Sequence, residues 1–462
     1  MKGIQSRNFS YIFLWVIYYV WVISFISWWT ASPFAANGFS VDSRGLLHAV
    51  TIISSALCIF LVQKTWFIKA TRLAAATAII GFFLFQFTQN VQVEKFYIVT
   101  IGIALGCVNM SILMPFIFSL NNTEKLYTLL GSNVLINLIS LFQEGKAGEY
   151  LQDTGDWLLS AILMFIALGA IVFFSKGCLP TTTTISCVDA PVFYSRIYLT
   201  LVFNCIFVIL CKGIGKGILN NTAALSDYAV LMWYYLGGLA GCLLYFAVYA
   251  LFKRPFVWLG NITFGFFAMG LFCNTFVQQI PSLAVVFALL LGAGSTVGII
   301  NLYYIVAIVT KKYNSMHYLK LSVFCIGFCA MVPGILLGKY INDIHSFEVS
   351  SFASILSAAV MILFIMLSAV ISQSDYYDDW AKDSEKREID NEKLHIFKQY
   401  NLSKRETEVC KLLLQGYTMR QISGILSIAY PTVNTYCTAV YRKLEINSKT
   451  ELLILLKDYS AN

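Results

Sequence analysis

Twelve separate runs of about 20 apolar residues fill the first 372 positions of this chain. A helix needs about 20 such residues to cross about 30 Å of hydrocarbon, and only helices or closed barrels satisfy every backbone polar group there. The runs lie near 9–31, 46–62, 73–90, 96–120, 126–142, 157–175, 197–214, 228–252, 256–277, 282–310, 318–338 and 350–371. They are apolar on all faces, which suits lipid and neighbouring helices, and they lack the alternation of barrel strands. The chain is 58% hydrophobic and 12% charged, against about 45–50% and 25% for soluble domains. A soluble enzyme, a disordered protein and a disulfide scaffold are excluded. The apolar surplus stops near residue 371, so the chain has two parts in two solvents.

Charge divides the same way. Residues 1–372 hold 19 Lys and Arg against 11 Asp and Glu, and residues 373–462 hold 13 of each. Cytoplasmic loops are enriched in Lys and Arg. With the N-terminus inside, those loops carry Lys2, Arg7, Lys64, Lys69, Arg72, Lys125, Lys176, Arg196, Lys253, Arg254, Lys311, Lys312 and Lys320. The outside loops carry Arg44, Lys95, Lys146, Lys212, Lys216 and Lys339. An even number of spans returns the C-terminus to the cytoplasm, so the expectation is a multi-pass protein of the cell (inner) membrane with both termini cytoplasmic. The first run is too long for a cleaved signal and reads as a signal-anchor.

The longest cytoplasmic loop, 176–196, holds Thr181 to Thr184 between Pro180 and Pro191 and reads as a linker. Six plus six spans around a central cytoplasmic loop resembles the major facilitator superfamily. Gly102-x-x-x-Gly106 in the fourth run is echoed by Gly294-x-x-x-Gly298 in the tenth; small residues four apart let helix backbones approach, here for packing within one bundle or for a dimer seam. The stretch from Gln63 to Arg72 keeps only the basic residues of the gating motif that the resemblance implies. No Asp or Glu sits well inside a run, and His48, Lys212, His317 and Lys320 fall near run ends, where snorkelling accounts for them. Coupled carriers keep ionisable groups within spans, so a binding bundle is expected. Its candidate ligand residues are Trp15, Tyr19, Asn109, Asn137, Trp233 and Tyr234, aromatic and amide groups suited to an apolar or aromatic small molecule. Interfacial belts and inter-helix hydrogen bonds are their other reading. The cysteines have neither disulfide context nor metal spacing, and no cofactor is expected.

The expected divisions are a membrane domain at 1–372, a charge-mixed connector at 373–398 and a terminal domain at 399–462. Ser403-x-x-Glu406 and Thr418-x-x-Gln421 are capping boxes that open helices. Gly416 stops the first helix. Pro431 suits the first turn of a third, and Ser448 caps a fourth carrying Leu452, Leu453, Leu455 and Leu456. Four short helices with a tight turn between the second and third form a helix-turn-helix arrangement. Ordered spacing of Leu402, Glu406, Leu412, Gly416, Ile422, Leu426, Thr432, Val433, Tyr441, Lys443, Leu444 and Ser448 resembles the LuxR-type DNA-binding domain. The resemblance implies a third helix in the major groove and homodimers on paired half-sites.

On the third helix, Val433, Val440 and Leu444 are expected in the core with Glu406, Gly416 and Ile422. Asn434, Thr435 and Thr438, with Thr432, then face double-stranded DNA. Asn reads adenine and Thr touches a thymine methyl, while Arg420, Arg442 and Lys443 contact phosphates. Asn434, Tyr436 and Ala429 depart from the family's usual Lys, His and Ser; losing a capping Ser is worth about 1 kcal/mol. The whole is expected to be an all-α chain: twelve spans followed by a four-helix LuxR-type domain. It reads as a membrane-anchored one-component transcriptional regulator that senses a small molecule, with no catalytic constellation. RNA polymerase is a further candidate partner. The alternative is a facilitator-type transporter of an uncharged or aromatic solute with an appended regulatory domain.

Overall fold

In a computed structural model of the chain, residues 6–25, 41–144, 156–174, 195–373 and 400–452 are described, apart from stretches of one to three residues between helices. Two compact units result, Met1–Trp380 and Ala381–Asn462. Every described element is helical. The expected central linker and the connector fall almost wholly outside the described residues, as do Gly416, Leu453, Leu455 and Leu456.

The first unit is built from α1 (Phe9–Val20, prolonged by a π-helical turn at Trp21–Phe25), α2 (Val41–Cys58), α3 (Phe67–Phe85), α4 (Val91–Phe118), α5 (Asn122–Glu144) and α6 (Asp156–Phe174). Its second half holds α7 (Ser195–Leu225), α8 (Val230–Leu251), α9 (Pro255–Thr275), α10 (Leu283–Tyr313), α11 (Met316–Ile326), a π-helical turn (Gly327–Met331), α12 (Val332–Asn342) and α13 (Ser346–Gln373). The expected apolar runs overlap these helices, the run at 318–338 being divided among α11, the π-helical turn and α12, and the end of the run at 9–31 lying outside the described residues. By length and composition, seven helices among the described residues can cross a membrane. The exterior is apolar: Leu73 is 67% exposed, Leu243 73% and Ile355 70%. Such a belt matches hydrocarbon as solvent and would be an aggregation liability in water.

Polar groups are used where the backbone needs them. The Asn90 side chain caps α4 by accepting from Gln92 N at 2.9 Å. At the start of α5 Asn121 and Glu124 cap each other, with N–H donations of 2.8 and 2.9 Å. Glu124 also accepts from Asn8 Nδ2 at 2.8 Å, tying α5 to the start of α1. Lys125, expected in a cytoplasmic loop, is instead buried in this first turn of α5.

Helix pairs close on small residues. Gly102 and Gly106 of α4 lie on α2, where a Cβ at Gly102 would stand 2.8 Å from Val50 Cγ1. A Cβ at Gly298 of α10 would stand 2.6 Å from Val208 and 2.9 Å from Thr263. Both motifs therefore serve packing within the bundle rather than a dimer seam. A tighter contact joins α7 to α12. Gly213 lies on Gly334, with 2.7 Å from a built Cβ to the Gly334 backbone, and Gly217 lies on the Gly338 carbonyl. The two halves meet where α5 packs on α8 and α10 and where α2 packs on α12.

A further expectation is overturned. Lys212 and Lys216 are in neither an outside loop nor a helix end; both lie in the middle of α7. The apolar run stops near 214 because these two charges interrupt it. The helix continues to Leu225 because the charged face turns inward, away from lipid.

Candidate nucleic-acid interface and bundle cavity

The second unit contains α14 (Lys404–Leu414), α15 (Met419–Leu426) and α16 (Tyr430–Lys443). Both capping boxes form. Ser403 N donates to Glu406 Oε2 at 2.6 Å, and Glu406 N to Ser403 Oγ at 3.3 Å. Thr418 N donates to Gln421 Oε1 at 2.9 Å, and Gln421 N returns to Thr418 Oγ1 at 3.4 Å. Ser448 Oγ accepts from Glu451 N at 3.1 Å, which starts a fourth helical turn. The turn between α15 and α16 is held by Ser423 Oγ donating to Ile428 O at 2.6 Å. Pro431 occupies the first turn of α16, and Ala429 at its cap makes no side-chain hydrogen bond.

Three helices close on Val409, Cys410, Leu413, Ile422, Val433, Cys437, Val440 and Leu444, with Leu452 added from beyond. Three-to-four-residue spacing along α16 buries Val433, Cys437 and Val440 and leaves Thr432, Asn434, Thr435, Thr438 and Arg442 exposed, as is Arg420 on α15. The Thr435 and Thr438 hydroxyls each donate to the carbonyl four residues back, Pro431 O and Asn434 O, both at 3.0 Å. Their hydrogens are thereby committed to the helix, and the methyl groups are left as the apolar surface a thymine methyl would meet.

Lys443 has a second engagement. Its Nζ donates to Glu406 Oε2 at 2.7 Å, joining the end of α16 to the start of α14. Burial works against the Glu406 charge, but the Lys443 ammonium and the Ser403 N–H and hydroxyl prevail and hold the carboxyl below its usual value. A depressed folded value adds stability that is fully present above the unfolded value of about 4.3 and is lost as pH falls through the folded one. Thermal melts of the C-terminal unit should therefore be flat from neutrality to about pH 5 and drop below it. In Glu406→Gln the melt should start lower at pH 7 and fall less steeply in acid. Parallel pH profiles for the two proteins would show that the ion pair contributes nothing.

In the first unit a cavity of about 510 Å³ lies between the halves. From α1 it takes Trp15 and Tyr19, from α5 Asn133, from α7 Lys212 and Lys216, and from α10 Tyr303. Trp15 stacks on Phe116 with ring centres 4.0 Å apart and meets Tyr303 edge-on at 5.8 Å. The Tyr19 hydroxyl donates to Asn109 Oδ1, and Asn109 Nδ2 donates to Ser55 Oγ at 3.1 Å, so Asn109 braces the wall from behind. Asn137 is buried one turn from Asn133 and donates to its carbonyl at 2.8 Å. Trp233 and Tyr234 belong with the apolar core of the second half and do not border the cavity. The cavity also takes Gly45 and Ile52 from α2, Leu129 and Ile136 from α5, Asn220 from α7, Ile299 from α10 and Gly334, Gly338 and Lys339 from α12.

These geometries define two classes of structure in one chain, a helix-turn-helix domain and an all-helical bundle. Residues 400–456 match the family model "Bacterial regulatory proteins, luxR family", so a LuxR-type domain stands at the C-terminal end. A 57-residue stretch is 35% identical to "Probable transcriptional regulator ycf29" of Guillardia theta, covering 12% of this chain. The chain spans about a quarter of the length of that curated relative, 27%. Over 80% of its length the chain is similar in fold to the crystal structure of a Major Facilitator Superfamily (MFS) transporter, FucP, in the outward conformation, covering 100% of that chain with a TM-score of 0.55 and 10% sequence identity. At that identity the likeness concerns fold alone.

Proposed function

We propose that the chain is a membrane-anchored one-component transcriptional regulator. The bundle resides in the cell (inner) membrane with both termini cytoplasmic, and its cavity binds a small molecule that comes from outside or from the lipid phase. Binding favours one of two bundle arrangements and so changes how the C-terminal units pair on DNA; a ligand shifts such an equilibrium only by its differential affinity for the two states. Within each C-terminal unit Asn434, Thr432, Thr435 and Thr438 read bases, and Arg420 and Arg442 hold phosphates. Lys443 fixes α16 against α14 through Glu406. Residues 400–462 carry eight Lys and Arg against five Asp and Glu, a small surplus, so homodimerisation has to supply much of the affinity. RNA polymerase is the natural further partner of a DNA-bound activator. No catalytic step belongs to this reading.

The observation that carries it is α16, apolar and sealed on one side and exposed on the side bearing Asn434, Thr438 and Arg442. The test is binding of the purified protein to the promoters flanking its own gene. Arg442→Glu should weaken binding to all sequences alike and flatten its salt dependence. Unchanged binding in that variant would remove α16 from the interface. The facilitator-like fold favours one other reading, a transporter of an uncharged or aromatic solute with a regulatory domain. Uptake of such a solute into proteoliposomes, lost with cavity substitutions, would establish it.

A further inference from the structure

Two of the charges that face the cavity have no place in the regulator reading as it stands. Lys212 and Lys216 are one turn apart on the same face of α7, inside a stretch, Val202–Ala224, long and apolar enough to span the bilayer. A cation at that depth is costly unless it faces a wet cavity, and it then marks a ligand path. The glycine seam explains the geometry. Gly213 and Gly217 press α7 against Gly334 and Gly338 of α12, so the lysines, each preceding one of these glycines, are directed along the cavity rim. Among the described residues that line the cavity none is acidic. Glu144, at the end of α5, lies within electrostatic reach of Lys216, while the charge beside Lys212 is Lys216, of like sign. Trp15, Tyr19 and Tyr303 line the same cavity.

We infer that the cavity takes a small organic anion, an aromatic carboxylate whose carboxyl group sits on Lys212 and Lys216 and whose ring lies against Trp15, Tyr19 and Tyr303. The inference rests on the bundle being a ligand-binding module and names the chemical class it binds. A cavity of about 510 Å³ is the size that holds a molecule of that kind. The carboxylate would offset two like charges that otherwise repel, and a charge-assisted hydrogen bond is about twice as strong as a neutral one.

The probes are 3-phenylpropanoate, benzoate and cinnamate, each beside its neutral amide. They are added to the purified full chain in detergent, and binding is read by thermal shift and tryptophan fluorescence. At least one carboxylate should bind about tenfold or more tightly than its amide. Lys212→Met, with an unchanged melting temperature in the absence of probe, should remove that preference, and Lys212→Arg should keep it. Overturning results are that no carboxylate does better than its amide, or that the preference survives in both Lys212→Met and Lys216→Met. Because binding is read without DNA, it stands apart from the regulator reading. A carboxylate that binds through Lys212 yet alters no transcript would sink regulation and leave the anion site intact.

Discussion

Val433→Asp unfolds the C-terminal unit, whereas Asn434→Ala leaves it folded and weakens only its grip on DNA. The two positions are adjacent on α16 but face opposite ways. Val433 is 0% exposed in the core shared by α14, α15 and α16, and a buried, unpaired carboxylate costs several kcal/mol. A domain of this size has only about 3–5 kcal/mol of stability, so one such substitution consumes it. Circular dichroism of residues 396–462 should show the loss of cooperative melting. Asn434 is exposed; its side chain is free for a bidentate bond to adenine, worth about 1–3 kcal/mol. Asn434→Ala should keep the melt unchanged and weaken promoter binding by about five- to 150-fold. A folded Val433→Asp protein would mean that α16 is placed a residue out of register.

Gly217→Leu should have the largest effect in the bundle. The neighbour of a new Cβ there is the Gly338 backbone, with Gly338 Cα at 2.7 Å. Backbone cannot swing aside as a side-chain tip can, so α7 and α12 must separate. Overpacking in a close-packed interior costs about 1–3 kcal/mol, occasionally more, and this site belongs at the upper end. The melting temperature in detergent should fall by several degrees, and ligand effects should vanish, because Lys212 and Lys216 ride on α7. Gly131→Ala is the control. Nothing lies within 4 Å of a Cβ at Gly131, so that variant should melt at or above the parent temperature. Equal melts for the two variants would contradict the seam.

How far the sequence speaks for itself is clear from particular residues. Local rules were enough for the C-terminal unit: the Ser403–Glu406 and Thr418–Gln421 caps, and the Val433–Val440 stripe, span three to seven residues and form as their spacing predicts. The Lys443–Glu406 pair spans 37 residues, and nothing in either neighbourhood points to the other. A phosphate contact was therefore the natural expectation for Lys443. In the bundle, apolar runs locate the helices because lipid is a uniform solvent. They fail at α7 because a cavity is not. The uninterrupted apolar run ends at Lys212 and Lys216, yet the helix carries on past them because they line the cavity. Gly213-x-x-x-Gly217 and Gly334-x-x-x-Gly338 carry the same spacing as the motifs in α4 and α10, and were the available signal that α7 continues past residue 214. Trp15 and Tyr19 were legible as aromatic, but whether an aromatic lines a cavity or fills a core, as Trp233 and Tyr234 do, is decided by helices distant in sequence.

A reader of duplex DNA has to lie on the chromosome's side of the membrane that anchors it. Fusing a fluorescent protein or alkaline phosphatase after Asn462, in a bacterial host, measures that side directly. Fluorescence with no phosphatase activity is the predicted result. Phosphatase activity without fluorescence would put the helix-turn-helix domain outside the cytoplasm, where it has no promoter to bind.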